Sequence, residues 1–345
     1  MAVTIKDIAV LAKVSVATVS RALNGQDSVT EEARAKVLAA AAELRYQPHH
    51  AARSLSSRRT HTVGVVLPDF EGEFFSELIH GIEREARLQG HQLLVSCSHT
   101  DPDLQRQVLQ AMRGRVDGLL IMSPQVDSGA QLLENLFPGI PTVLINSHLP
   151  ACAELPTVNV DNHAGARAIV EHLLECGYRR IAFIAGPEDN FEARERLRAY
   201  VDALRELSPS LTPWVLPGDF TVTRGHEAGE FLAGLAERPD AVFAANDQMA
   251  LGCLFALARK GVHVPDDIAL AGFDDIPLAA CTWPRLTTAG TDIVELGARA
   301  VRRLLAADGA HAELVTPKLI VRESTRDTRH NASPPIHSAL QQPAT

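Results

Sequence analysis

Residues 4–24, Thr-Ile-Lys-Asp-Ile-Ala-Val-Leu-Ala-Lys-Val-Ser-Val-Ala-Thr-Val-Ser-Arg-Ala-Leu-Asn, carry two short helical patterns separated by a tight turn. Thr4 can cap the first helix, with Asp7 as the acidic half of a capping box, and Ile5, Ile8, Ala9 and Ala12 share one face. Lys13 and Val14 make the turn. Ser15 caps the second helix, whose Val19, Ala22 and Leu23 point inward while Val16, Ala17, Thr18, Ser20 and Arg21 stay near or on the outer face. Gly25 is placed to end it in the left-handed conformation. Small side chains at Ala9 and Ala12 allow a close, steep crossing, so the second helix protrudes. A plain surface hairpin of helices is the duller alternative, but a protruding polar helix is the shape that reads base edges in the major groove of DNA. Thr30 opens a third helix whose Ala33, Val37, Ala40, Ala41 and Leu44 close a three-helix core, and Tyr46-Gln47-Pro48 stops it.

Charge divides the chain the same way. Residues 1–60 hold nine Lys and Arg against five Asp and Glu, a net +4; with the whole chain at −9, the remainder carries −13. A basic head on an acidic body meets phosphates at one end only, which makes DNA binding oriented and salt-dependent. Past the third helix, His49 to Leu55 reads as a further helical segment, with Ala51, Ala52 and Leu55 on one side and Arg53, Arg58 and Arg59 around it.

With Thr18-Val19-Ser20-Arg21, Tyr46-Gln47-Pro48 and Ala52-Arg53-Ser54-Leu55 in place, the chain resembles the LacI family of bacterial transcription repressors, its sugar-responsive members in particular, from Val3 to about Arg326. The resemblance implies that Val16 and Ala17 choose bases, that Arg21 contacts a guanine, and that Thr18, Ser20 and Asn24 touch phosphates and backbone. Thr4, Ser15 and His49 complete the expected DNA contacts. Leu55 matches a hinge leucine that, paired with its dimer mate, wedges between central base pairs through the minor groove; Ala52 is the small position that lets two hinge helices pack. Such a wedge unstacks one step at a cost of a few kcal/mol and bends the duplex onto more protein. Arg21 can hold guanine O6 and N7 in a bidentate pair worth about 1–3 kcal/mol of discrimination, whereas Val16 and Ala17 offer only apolar contact, for instance to a thymine methyl. The implied partner is double-stranded operator DNA, palindromic with a central CG step, one half-site per subunit of a homodimer.

A chain of 345 residues with 46% hydrophobic content can fill two or three domain cores. Its first residues contain no long apolar run, so neither a secretory leader nor a membrane span is expected, and the place expected is the cytoplasm, on the nucleoid. Cys97, Cys152, Cys176, Cys253 and Cys281 are scattered and odd in number, a pattern of reduced, mostly buried thiols rather than metal ligands or disulfides. From Thr62 onward, short apolar runs alternate with helical patterns. The expected strands are 63–67, 92–96, 118–122, 142–145, 157–160, 180–185, 241–244 and 268–272, and the expected helices are 75–89, 103–113, 129–136, 165–176, 193–207 and 249–260. Alternation of this kind implies parallel sheets joined by right-handed crossovers, in two lobes with a cleft. The fold class is therefore an all-α helix-turn-helix head (1–47) and an α/β body (62–328) of two lobes, which the resemblance makes periplasmic-binding-protein-like. A hinge helix and linker span 48–61. The amino-terminal lobe takes about 62–160 and 291–320, the carboxy-terminal lobe about 161–290 and 321–328, with crossings near Asp161, Thr291 and Ile320. The Pro- and Ser-rich tail 329–345 lacks apolar heptads and is expected to be disordered, leaving a dimer, not a tetramer.

Polar residues follow the expected strands, where a cleft ligand would meet them: Asp161-Asn162, Glu188-Asp189-Asn190, Asn246-Asp247 and Asp274-Asp275. Carboxylates and amides that grip vicinal hydroxyls, an arginine that shares them and an aromatic face suit a sugar. Phe74, Phe75 and Phe220 can supply the walls, and the resemblance directs Arg196 at the effector, with Asp274, Asn246 and Asp161 as further contacts and Phe75 and Phe220 as pocket aromatics; Asn190, past its own strand in a loop where the family varies, is a further candidate contact. Asp161 and Asp274 could instead cap the helices that come after them, and Asp247 is expected to do so. Asn190, Glu192 and the acidic lining favour a neutral polyol over an anion or a base. Rival readings are a free sugar-binding protein serving a transporter, and a nucleoside- or purine-responsive regulator of the same family. The phosphate-loop, His-Glu-x-x-His and Gly-x-Ser-x-Gly signatures are absent, so the chain is not expected to be an enzyme, and neither a cofactor nor a metal is expected.

Overall fold

The computed structural model describes residues 3–23, 28–46, 59–125, 127–306 and 312–326. The chain forms two compact units, 1–60 and 61–345. Asn24, Gly25, His49, Ala52 and Leu55, nearly all of the expected hinge, and the tail from 327 lie outside the described residues.

In the small unit, α1 (Ile5–Ala12), α2 (Val16–Leu23) and α3 (Glu31–Glu43) follow the expected pattern. The Asp7 carboxylate accepts from the Thr4 backbone N–H and hydroxyl, each at 2.8 Å. Lys13 adopts the left-handed conformation (φ 53°), and Val14 N–H reaches back to Ala9 O at 3.1 Å, which closes the helix and makes the turn. Ser15 Oγ then accepts from Thr18 N–H at 3.0 Å. Ile8, Val19 and Val37 are fully buried, with Ala9, Ala12, Ala22, Val29 and Ala40 around them. Arg34 donates to Ala22 O at 3.2 Å and ties α3 to the end of α2.

The large unit begins with β1 (Thr62–Leu67), α4 (Glu73–Leu88), β2 (Gln92–Cys97), α5 (Pro102–Met112), β3 (Gly118–Ile121), α6 (Gly129–Asn135), β4 (Thr142–Ile145) and β5 (Thr157–Val160). A second series continues with α7 (Asn162–Glu175), β6 (Ile181–Ile184), α8 (Phe191–Leu207), β7 (Trp214–Leu216), α9 (Val222–Ala233), β8 (Ala241–Ala244), α10 (Asp247–Arg259), β9 (Ala269–Phe273) and β10 (Thr287–Gly290). The chain ends with α11 (Ile293–Ala306), β11 (Ala312–Val315) and β12 (Lys318–Ile320). Two six-stranded sheets result, ordered β2-β1-β3-β4-β5-β11 and β7-β6-β8-β9-β10-β12. All pairs are parallel except β10 with β12. Strands covered on both faces must be apolar throughout, and Val63 to Leu67 and Ala241 to Ala244 are accordingly buried without alternation.

The chain passes between lobes three times. The first two passages fall at Asp161 and at Thr291–Asp292, where they are expected. The third lies at Thr316–Pro317, earlier than the expected Ile320, because Lys318–Ile320 already pairs with β10 of the second sheet. Each lobe packs one helix pair backbone to backbone. A Cβ on Gly81 of α4 would fall 1.9 Å from Val294 O, and one on Gly225 of α9 would fall 2.1 Å from Met249 O. Of the five cysteines, Cys152, Cys176 and Cys253 are buried. No helix among the described residues is long and apolar enough to cross a membrane.

Candidate functional site

Two surfaces concentrate polar groups, one on the head and one in the body. On α2, Val16, Ala17 and Arg21 are exposed while Thr18 and Ser20 are half-buried. Arg21 rests on its own helix, its Nε donating to Ala17 O at 3.2 Å, and Ser15 Oγ lies 2.8 Å from Thr18 Oγ1. Thr4 is engaged with Asp7 as a cap. The outer face of α2 thus offers two small apolar side chains beside one guanidinium, the combination suited to base edges.

In the body, each sheet reverses its strand order between β1 and β3 or between β6 and β8, and side chains beyond the carboxyl ends of those strands meet in a cavity of about 410 Å³ between the lobes. The lobes also touch beside it: Phe191 N–H donates to Pro124 O at 2.9 Å, and the His148 and Phe191 rings stack at 4.6 Å. Phe74, Phe75, Asn190, Arg196, Phe220, Asn246 and Asp274 all line this cavity. Asp161 does not. Its carboxylate accepts from Ala164 N–H at 2.9 Å and caps α7, so the helix-capping alternative describes its place and it stands outside the lining.

Arg196 is the centre of the site. Only 4% exposed, it projects from α8, donates from Nε to Asn162 Oδ1 at 2.7 Å and from Nη1 to Ala245 O at 2.6 Å, and sets Nη2 3.1 Å from Asp274 Oδ1. Glu192, one turn earlier on α8, lies 3.7 Å away. The guanidinium sits 3.8 Å over the Phe273 ring and 5.7 Å from that of Phe220. Each of its three nitrogens thus has at least one protein partner, with Nη2 facing both carboxylates. Asp274 takes a φ of 110°, a conformation rare for a side-chain-bearing residue, and its N–H bonds to Ala289 O at 2.8 Å. Backbone strain of this kind persists only where surrounding contacts over-determine it.

Asn246 works twice, its Oδ1 capping α10 through Met249 N–H at 3.0 Å and its Nδ2 donating to Phe220 O at 3.0 Å. That bond holds Phe220 at a φ of 71°, and its ring lies against Gly186, where a Cβ would approach to 2.5 Å. Asp247 does not cap α10 as expected, because Asn246 already does. It is fully buried and accepts from Thr288 Oγ1 at 2.7 Å and Ile276 N–H at 3.0 Å, which braces the loop carrying Asp274. Asn162, named with Asp161 among the polar residues past a strand, is the one of that pair that positions Arg196, whereas Phe273, under the guanidinium, ends β9 and escapes a reading of polar residues past each strand. Gln125 and Gln248 in the lining carry no sequence signal of their own.

Burial raises the Glu192 carboxyl from its ordinary 4.5 to about 7, against the pull of Arg196 and with repulsion from Asp274 adding to the rise. Burial likewise lifts Asp274 from 3.8 to about 6, again against Arg196. Since both values are raised, the folded body keeps protons that the unfolded chain releases. The stabilisation is complete below the ordinary carboxylate range and is lost as pH rises through about 6 to 7. Urea melts between pH 4 and 8 should therefore show this contribution falling up to about pH 7 and levelling off above it, with a shallower fall in Glu192→Gln; an unchanged slope in the variant would contradict the assignment.

Two family models match parts of this chain. The model described as "Bacterial regulatory proteins, lacI family" matches residues 4–49, and that described as "Periplasmic binding protein-like domain" matches 170–325. The chain is 38% identical over 334 residues to the HTH-type transcriptional repressor CytR of Escherichia coli (strain K12), covering 94% of this chain and 97% of that one. Among solved structures, the lac repressor dimer bound to operator and the anti-inducer ONPF superposes with a TM-score of 0.85 at 30% identity, over 94% of this chain and 100% of that chain. The complex of the transcriptional regulator CelR with cellobiose gives 0.69 at 32% identity, over 93% and 99%. This chain belongs to the LacI family of bacterial regulatory proteins.

Proposed function

We propose that the protein is a dimeric transcriptional repressor whose operator affinity is set by a neutral, polyhydroxylated small molecule held between the lobes of its body. One observation carries the ligand class. Among the described residues, six carboxylates, those of Asp69, Glu71, Asp189, Glu192, Asp219 and Asp274, share the cavity lining with a single cation, Arg196. An anion would be repelled, whereas hydroxyls can donate to the carboxylates and accept from Arg196. Phe74, Phe75 and Phe220 offer flat faces to C–H groups. The lac repressor structure holds operator and anti-inducer, and the CelR structure holds cellobiose, in line with this reading. A nucleoside, with vicinal ribose hydroxyls and a base for the aromatic walls, is the second candidate class.

A ligand that bridges the lobes binds best when they are closed, so it shifts the population toward that state. The same coupling requires operator DNA to weaken an inducing ligand by the factor by which the ligand weakens operator binding. A thermal-shift screen over common mono- and disaccharides and nucleosides, followed by operator-binding titrations with each hit, tests both parts. Anionic hits alone would refute the ligand class, and a hit that tightens operator binding would reverse the sign of control. On the DNA side, Arg21→Ala should cost about 1–3 kcal/mol, concentrated at one guanine of each half-site. Anisotropy titrations against operators substituted base by base would show a uniform loss if Arg21 touched only phosphate.

A further inference from the structure

Among the described residues, one group of three potential metal ligands comes together: Asp69, Cys97 and His99, whose ligand atoms all lie within 4.8 Å of one another. The sheet register produces this meeting. Leu67 ending β1 pairs with Cys97 ending β2, so Asp69 and His99, each two residues further on, leave the same edge of the sheet side by side. His99 and Thr100 have φ of 47° and 56°, which turns the chain back and sets His99 Nδ1 3.5 Å from Cys97 Sγ. In a tetrahedral zinc site, bonds of about 2.3 Å to sulfur and about 2.0–2.1 Å to nitrogen place those two atoms about 3.6 Å apart. The pair thus already stands at the ligand spacing. Asp69 Oδ1 is fixed by the backbone N–H groups of Phe70 at 2.6 Å and Glu71 at 3.2 Å, which orients the carboxylate in the way outer hydrogen bonds orient metal ligands.

We propose that Asp69, Cys97 and His99 bind a thiophilic divalent cation of the zinc class in the wall of the cleft, through one thiolate, one imidazole nitrogen and one carboxylate oxygen. Thiolate and imidazole select such an ion over Mg²⁺ or Ca²⁺, which prefer oxygen donors throughout. One thiolate and one carboxylate balance the charge of the ion, and the thiol proton leaves to solvent on binding. Three protein ligands leave a fourth position open, and because Asp69 and Thr100 line the cavity, that position belongs to the neighbourhood of the effector.

Co²⁺ added to the chelator-treated full-length protein tests the site directly. The expected result is a thiolate-to-cobalt charge-transfer absorption that saturates at one equivalent per chain, is bleached by Zn²⁺ and is untouched by Mg²⁺. Cys97→Ser should abolish the band, and Asp69→Asn and His99→Gln should weaken Co²⁺ binding by at least about tenfold. Cys281→Ser, at an exposed thiol, should change nothing. His99 is itself exposed, so its variant keeps the fold even if a change at Cys97 does not. No band in the wild type, a band that survives Cys97→Ser, or one lost with Cys281→Ser would overturn the proposal.

Discussion

Arg196→Met should abolish the response to effector while leaving ligand-free operator binding close to wild type. The substitution keeps an apolar stem beside Phe273 and removes every guanidinium N–H, with them any donor that a ligand in the cavity would use. Hydrogen bonds from a charged group are worth about 1.5–3 kcal/mol each, so if Arg196 serves the proposed ligand with two of them, their loss predicts a fall in effector affinity on the order of 10²-fold or more. The body pays as well, since Asp274 and Glu192 lose their shared cation and Asn162 and Ala245 lose a donor. Removing one partner from a buried ion pair typically costs about 3–5 kcal/mol, softened here as the carboxyls take up protons. Arg196→Lys separates the two effects, because a point charge restores much of the stability but lacks the planar fork that serves Asn162, Ala245 and a ligand together. Calorimetric titration and thermal melts on both variants read the two quantities. A methionine variant that still bound effector normally would remove Arg196 from the site.

Ile8→Ala should unfold the head and leave the body intact. Ile8 is fully buried among seven other core side chains, four of which are alanines, so little is available to fill the space it vacates. Such a truncation costs about 2–5 kcal/mol. A unit of this size seldom holds more than about 3–5 kcal/mol in total. Operator binding should then vanish while effector affinity stays, and calorimetry should show one transition displaced and the other unmoved, because the chain divides at Thr60 into separately compact units. Leu11→Ala, at a position 41% exposed, is the control expected to do neither. Operator binding retained by Ile8→Ala would mean that contacts beyond the three-helix core hold the head together.

The three helices of the head are readable because their determinants are local. Thr4 with Asp7, Ser15 and Thr30 each cap within three residues of themselves, and the apolar spacing is short-range. The buried strands are readable as apolar runs, whereas β7 has only three residues and β10, Thr-Thr-Ala-Gly, has no such run. Helix α9 is obscured by Gly225 and Gly229, glycines that poor helix propensity argues against and that close helix contact demands. Helix α11 carries a clear stripe of Ile293, Leu296, Ala300, Val301 and Leu304 and is nonetheless missing from the sequence expectations.

Within the cleft, the sequence determined which chemistry gathers at strand ends, and seven of the eight residues singled out for the effector do line one cavity. Only the tertiary structure decided how they share the work. Asp161 and Asn162 are neighbours in sequence, yet one caps a helix and the other holds Arg196, because a helix start turns consecutive side chains in different directions. Asp69, Cys97 and His99 match no metal-binding spacing along the chain, and they meet because parallel pairing of β1 with β2 sets the ends of both strands level. Local caps and periodicity are written within a few residues, whereas proximity across a sheet depends on register, and register is settled only when the whole lobe packs.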